Sequence, residues 1–126
     1  MRLVLLAALG GAFGTVARYL TVTAAMRLFG IDFPWGTLAV NVGGSLAIGV
    51  AMAAINQWFG GWSELRILLV TGFLGGFTTF SAFSFDILQL VQRRAIIEAL
   101  LYASGSVLLS LMAVVIGYSA IKAVAP

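Results

Sequence analysis

The fold of this chain depends on one stretch, GFLGGFTTFSAFS at residues 72–84. It places three glycines, four phenylalanines and four hydroxyl residues in thirteen positions, without a charge, inside a long apolar run. Lipid offers no hydrogen-bond partner to an irregular backbone, so a glycine- and threonine-rich break at membrane depth needs protein or a water-filled path around it. Ions and substrates bind at such breaks, and this stretch is therefore the leading candidate for a functional site.

The composition is that of an integral membrane protein. The 126 residues are 62% hydrophobic and only 9% charged, with a mean hydropathy of +1.12. Soluble domains carry about a quarter charged residues. The absence of cysteine and histidine excludes disulfides, histidine or cysteine zinc sites and a Ser-His-Asp triad. A net charge of +3 over a membrane protein is not a basic patch, so we expect no nucleic-acid partner.

The apolar runs predict an all-α membrane protein with four transmembrane helices, the third broken near its middle. A helix needs about 20 apolar residues to cross a bilayer. We expect one transmembrane domain over residues 1–126, with spans at about 3–28, 35–58, 65–91 and 96–123. The first run resembles a signal peptide, but the sequence after it stays apolar, so we interpret it as a retained helix. The spans leave no room for a soluble catalytic domain, and we expect no enzyme.

The distribution of positive charges does not favour one orientation in the membrane. They divide three against three between the face with both termini and the opposite face: Arg2, Arg66 and Lys122 against Arg27, Arg93 and Arg94. The positive-inside rule then has no preference. Either so few charges make the count noisy, or copies insert both ways and pair antiparallel. Four helices also enclose a pathway poorly, which favours a homodimer.

Two charges lie inside the predicted spans. Arg18 is in the first span, where a charge is costly unless it faces water, a partner or an anion. It could snorkel to an interface, pair with Asp86, or form an electropositive lining that attracts anions. Asp86 is the only other charge well inside a span, so the spans offer too few carboxylates for a cation-transport site.

An amide and two rings could contact an anion. Asn41 offers two N–H donors and one acceptor, which suit either interhelical hydrogen bonds or a neutral hold on an anion. Phe80 and Phe83 are three residues apart and share a helix face. Such pairs usually serve packing. Their ring edges, however, carry the positive end of the quadrupole and could replace part of the water around a small, hard anion.

Hydroxyls recur every fourth residue along the fourth span, at Tyr102, Ser106 and Ser110. Serines in membrane helices often bond back to their own backbone, which is one interpretation of this stripe. The other is a line of donors for an anion that sheds its water.

The break itself frees backbone oxygens. Carbonyls around Gly75–Thr79, doubled by an antiparallel two-fold axis, would suit a small, hard cation. Sodium fits an uncharged, all-oxygen cage better than a divalent ion, which prefers carboxylates.

Three motifs together resemble the Fluc (CrcB) family of fluoride channels. They are GGAFG at residues 10–14 followed by Arg18-Tyr19, the stretch from Gly36-Thr37 through Asn41 to Gly44-Ser45, and Thr71-Gly72-Phe73 through Phe83-Ser84. The resemblance runs over essentially the whole chain, and the last motif is the most specific. The chain departs from the family at Phe77, a position that is often leucine, which should leave the backbone site intact.

The resemblance implies an antiparallel dual-topology homodimer in the cytoplasmic membrane, which exports fluoride passively and protects the cell from it. It assigns Phe80 and Phe83 to the pore wall, with Ser81 of the same motif, and Asn41 to the fluoride path. It assigns the fourth-span hydroxyl track to Tyr102, Ser106 and Ser110, and a vestibule position to Arg18. It also implies a central, structural sodium ion on backbone oxygens of Gly75 and Thr78.

Two other functions are open to a chain of this size. A small multidrug-resistance type exporter shares the span count and dual topology, but it needs a membrane glutamate in the first helix, which here offers only Arg18. A non-transporting subunit that scaffolds a membrane complex would explain the glycines and short loops. It gives no reason for the hydroxyl stripe.

Overall fold

The computed structural model describes residues 1–125 and confirms the all-α fold with four membrane-length helices. These are Arg2–Phe29, Trp35–Trp58, Ser63–Gln92 and Ile96–Val124, and each is long and apolar enough to cross a bilayer. We call them the first to fourth spans. No β-strand occurs within the described residues. The links are short, so consecutive spans run antiparallel; between the second and third spans, Gly60 and Gly61 turn the chain with φ of 59° and 75°.

The third span is broken, as predicted. It begins α-helical over Ser63–Arg66, continues as a π-helix over Ile67–Leu74, and makes one short α-helical turn at Gly75–Phe77. Thr78 and Thr79 are then extended, with ψ of 158° and 122°. The α-helix resumes over Phe80–Gln92. The π-helix was not predicted; such segments are rare and often occur near functional sites.

The first span packs directly against the π-helical half of the third. A Cβ added at Gly10 would meet the Leu68 carbonyl oxygen, and one at Gly14 would meet the Phe73 carbonyl oxygen. A Cβ at Gly72 would lie 2.9 Å from the Gly10 Cα. We call Gly10, Gly14 and Gly72 the glycine seam. Small residues let helix backbones touch in lipid, and the glycine seam packs in this way.

The second and fourth spans form the other close pair. They run parallel, because one antiparallel span lies between them in the chain. Gly49 lies against the backbone of Val114, and Gly117 lies against the backbone of Leu46 and Val50. Beyond the break the third span packs on the fourth, where Phe83 and Leu90 lie with Ala99 and Tyr102.

Candidate functional site

A cleft of about 400 Å³ opens beside the break, between the second, third and fourth spans. Its polar and aromatic walls come from all three spans and include the following residues: Asn41, Ser45, Gly75, Thr78, Thr79, Phe80, Phe83, Ser106 and Ser110. Ile48 and Val107 complete it. No charged side chain lines this cleft in the described part of the chain. The cleft therefore brings together seven predicted site residues: Asn41, Gly75, Thr78, Phe80, Phe83, Ser106 and Ser110.

Asn41 fastens the break to the second span. Its Oδ1 accepts a hydrogen bond from the Thr79 backbone N–H at 2.7 Å, and its Nδ2 donates to the Thr79 carbonyl at 2.9 Å. The side-chain amide thus replaces the helical partners that Thr79 loses in its extended conformation, as the interhelical interpretation expected. One Nδ2 hydrogen is left for the cleft.

The two phenylalanines of the motif lie in different environments. Phe83 is 7% exposed and Phe80 is 76% exposed, although their ring centroids are 5.4 Å apart. The helix that carries them is capped by Thr79, whose Oγ1 accepts a hydrogen bond from the Ala82 backbone N–H. Phe83 is therefore part of the wall within one chain, whereas Phe80 projects from the chain's surface.

The serines in the cleft are not bonded back to their helices. Ser106 is 4% exposed, and its Oγ has no hydrogen-bond partner within residues 1–125. By contrast, Ser104 donates to the Leu100 carbonyl at 2.7 Å, and Ser84 donates to the Phe80 carbonyl at 2.9 Å. A buried hydroxyl without a partner is costly, so the Ser106 hydroxyl is available to a ligand in the cleft.

Tyr102 does not share the cleft with the two serines. It is 1% exposed, and its hydroxyl donates to Asp86 Oδ2 at 2.9 Å. Its ring centroid lies 5.3 Å from that of Phe83 and 5.5 Å from that of Phe33. The structure therefore divides the predicted stripe, with Ser106 and Ser110 on the cleft and Tyr102 beyond Phe83.

A second cavity, of about 440 Å³, lies on the far side of this contact. Thr37, Asp86, Gln89 and Arg93 give it polar and charged walls, and we call it the charged cavity. Phe83 lines the cleft and contacts Tyr102, whose hydroxyl is bonded to Asp86 of the charged cavity. The Phe83–Tyr102 contact thus separates an uncharged compartment from a charged one.

Arg18 reaches the break from the first span. Its Nη1 lies 3.5 Å from the Thr78 carbonyl oxygen, in a partly buried position. It does not pair with Asp86, whose Oδ2 takes the Tyr102 hydroxyl. Arg18 is thus a positive charge beside the cleft and outside its wall.

Two backbone oxygens at the break lack ordinary helical partners. The α-helical partner of the Gly75 carbonyl would be the Thr79 N–H, which donates to Asn41 instead. Among the described residues, the Thr78 carbonyl accepts only the long bond from Arg18. No group of three acidic, histidine or cysteine side chains that could hold a metal occurs within residues 1–125. These neutral oxygens suit a monovalent cation, but two from one chain are too few to enclose it.

The remaining predicted residue, Ser81, lies outside the cleft. It is exposed, and its Oγ is 3.2 Å from Thr79 Oγ1. Two residues of the cleft wall, Thr79 and Ser45, had not been assigned to the ion path from the sequence. Ser45 could have been found, because it follows Asn41 by one helical turn. The position of Thr79 depends on the extended backbone, which no sequence pattern specified.

The chain is similar to known proteins over nearly its full length. A family model described as "CrcB-like protein, Camphor Resistance (CrcB)" matches residues 5–118. A protein of Rhizobium etli (strain CIAT 652), named "Fluoride-specific ion channel FluC", is 52% identical over 120 residues, which are 95% of this chain and 96% of that protein. A protein of the same name from Chelativorans sp. (strain BNC1) is 52% identical over 113 residues, or 90% of each chain. With its motifs, its four spans and its broken third helix, the chain belongs to the CrcB family.

Proposed function

We propose that this protein is a fluoride-selective, passive ion channel that exports fluoride across the cytoplasmic membrane and relieves fluoride toxicity. Relatives about half identical over nearly the whole chain are named fluoride-specific ion channels. The observation that carries the proposal is the uncharged cleft, which is lined by two phenylalanines and by a buried serine hydroxyl that has no partner among the described residues. The protein is a multi-pass protein of the bacterial inner membrane and not an enzyme, as predicted.

The walls of the cleft suit the dehydration of a small anion. Ser106 and Ser110 supply hydroxyl donors, and Asn41 supplies its remaining N–H. Neutral donors replace water around the ion without the strong hold of a full opposite charge, so the ion can leave again. The rings of Phe80 and Phe83 add positively polarised edges. No carboxylate among the described residues repels an anion inside this cleft.

The ion path is proposed to continue from the cleft past Phe83 into the charged cavity. The Phe83–Tyr102 contact is the constriction between them, and the Tyr102 hydroxyl and Arg93 lie on its far side. Arg18, beside Thr78, raises the electrostatic potential near the cleft and favours entry of an anion.

A passive pore is sufficient for export, because the membrane potential supplies the driving force. In acidic surroundings fluoride enters cells as neutral HF, and the HF dissociates inside. A negative-inside membrane potential then expels the anion, at about 2.3 kcal/mol per 100 mV. No coupling ion is required, which distinguishes this proposal from the small multidrug-resistance type exporter. The CrcB family assignment also argues against that exporter and against a non-transporting scaffold.

An antiparallel homodimer accounts for polar groups that one chain leaves uncovered. Gly75 and Ser81 are exposed at the break, and Phe80 is 76% exposed beside them. Lipid cannot satisfy a backbone carbonyl or a hydroxyl at this depth, so a second protein surface is needed. A second copy in the opposite orientation fits the even division of positive charge between the two faces.

The same dimer would complete a sodium site. The Gly75 and Thr78 carbonyls of each chain would meet at the two-fold axis, supplying four neutral oxygens for one monovalent cation. The ion would hold the two breaks together. Arg18 would remain close to the Thr78 oxygen, and its positive charge would weaken the binding of a cation there.

A liposome assay tests the channel. The purified protein is reconstituted in liposomes loaded with potassium fluoride and diluted into a low-potassium buffer, with a fluoride electrode outside. Addition of valinomycin should start fluoride release. Liposomes loaded with chloride should release it far more slowly. Equal rates for the two anions, or no fluoride release, would exclude the proposal.

Purification without sodium tests the cation separately. We expect the dimer to dissociate or lose activity when lithium or N-methylglucamine replaces sodium, and to recover when sodium returns. If the sodium-free protein keeps the mass of the dimer and the same fluoride flux, the sodium site is excluded while the channel proposal remains intact.

A further inference from the structure

We propose that Ser45 is a further hydroxyl ligand on the ion path, one helical turn nearer than Asn41 to the face that carries the termini. This inference rests on the proposed channel function. It adds a ligand from the second span to the two serines of the fourth span, near the middle of the membrane-spanning length of the second span.

The Ser45 side chain is free to bind a ligand. It is half-buried and lines the cleft, and it makes no hydrogen bond within the described residues 1–125. A serine in a membrane helix usually donates to the carbonyl four residues earlier, which would be that of Asn41. Ser104 and Thr21 do bond back in this way. Ser45 differs from them in facing the cleft.

A second hydroxyl in the same cleft also lacks a partner. Ser106 is 4% exposed and its Oγ is unsatisfied within residues 1–125. Two uncommitted hydroxyls from different spans, Ser45 and Ser106, therefore face one space. The unpaired Ser106 hydroxyl is buried and therefore destabilising on its own, and a ligand that accepts its hydrogen bond would also lie within the space that the partly buried Ser45 hydroxyl faces.

The helix contacts give the depth of Ser45. Gly117 of the fourth span lies against Leu46 and Val50 of the second, and the two spans run parallel. Ser110 precedes Gly117 by seven residues, which places it level with Asn41. Ser45 then lies about 6 Å further along, at about 1.5 Å per residue.

This depth gives Ser45 a distinct position. Asn41 and Ser110 line the cleft at one level, and Ser106 lines it one turn further from the face with the termini. Beyond them, the second span presents Ser45 and then the apolar Ile48. Of the donors that the second span gives to the cleft within the described residues, Ser45 is thus the one nearer to the face that carries the termini.

Cysteine labelling tests the position without relying on activity. The chain has no cysteine, so Ser45→Cys carries a single thiol. A charged methanethiosulfonate reacts with a thiolate in contact with water. We expect Ser45→Cys to be labelled in reconstituted liposomes, as measured by intact-protein mass. Ser104 lies outside the cleft, on an exposed face of a membrane span that lipid would cover, and its hydroxyl is bonded to the Leu100 carbonyl. Ser104→Cys should therefore not be labelled.

Flux measurements test the ligand role. Ser45→Ala removes only the hydroxyl, and we expect valinomycin-triggered fluoride release to fall by about five- to tenfold, the effect of losing one ordinary hydrogen bond. Ser104→Ala should keep the parent rate. Both variants should elute from size exclusion at the parent position; if Ser45→Ala does not, Ser45→Cys without label replaces it in the flux assay.

Each outcome bears on one proposal. A labelled Ser45→Cys together with a slow Ser45→Ala supports the inference. An unlabelled thiol, or an unchanged rate in Ser45→Ala, overturns it while the parent channel still conducts fluoride. If the parent protein conducts no fluoride, the proposed function fails instead.

Discussion

The two halves of the third span use similar residues for opposite purposes. The π-helical half over Ile67–Leu74 meets the first span with almost no space between backbones, because the glycine seam removes the side chains. The half that begins at Phe80 stands away from the second span and leaves a cleft of about 400 Å³. One half is sealed and the other is open.

The difference arises from what each half faces. Glycine facing glycine allows contact of main chains, which gives van der Waals attraction and excludes any ligand. Beyond the break, Phe83 packs against Tyr102, and serines line the remaining space. Hydroxyls without partners then need water or an ion. The break at Thr78 and Thr79 is the boundary between the two kinds of contact.

The largest expected effect breaks the sealed half. In Gly14→Ala the new Cβ would meet the Phe73 carbonyl oxygen, and a backbone atom cannot move aside. We expect a loss of about 3 kcal/mol of stability, as for overpacked cores, and little monodisperse protein in size exclusion. Gly105→Ala is the control, since a Cβ there has no atom within 4 Å. A stable Gly14→Ala protein would mean that the seam is not tight.

The next effect concerns the open half. Phe83→Ile removes a ring that lines the cleft, and Phe80→Ile removes the exposed one. We expect each to lower fluoride flux about tenfold or more in liposomes, because an aliphatic side chain has no polarised edge. Phe85→Ile, an exposed phenylalanine on the same helix that does not line the cleft, should conduct normally. Normal flux in Phe83→Ile would refute the ring-edge mechanism.

Asn41→Ala tests the boundary between the halves. It leaves the Thr79 N–H and carbonyl without the Asn41 partners that lie at 2.7 and 2.9 Å. Each buried group left without a partner lowers the stability by about 1–3 kcal/mol. We expect a lower unfolding temperature and about a tenfold lower flux. Asn56→Ala, at an exposed position near the end of the second span, should change neither. A lower flux without a change in stability would assign Asn41 to ion contact alone.

The smallest effect compares two serines on one helix. Ser106→Ala removes the unsatisfied hydroxyl of the cleft, and Ser104→Ala removes one that is bonded to Leu100. We expect about a fivefold lower flux for the first and no change for the second, since only the first hydroxyl is free to bind an ion. Equal rates in the two variants would remove the distinction between open and back-bonded hydroxyls.

Much of the site could be predicted from residue types and spacing. The break was visible because glycines and threonines interrupt an apolar run, and Ser106 and Ser110 were visible because they recur at helical spacing. Tyr102 was grouped with them by the same spacing, yet its hydroxyl is bonded to Asp86. Spacing gives the side of a helix that a residue lies on, but not the direction in which a long side chain extends.

By itself, the sequence determined that this is a four-span membrane protein with an irregular third helix, because the bilayer restricts which apolar lengths and polar breaks are stable. Only the tertiary structure decided which of the recurring small and hydroxyl residues seal a contact and which line a cleft. Gly14 and Ser106 were both small residues in apolar helices. Their roles depend on the surface each one meets, and residues distant in sequence form that surface.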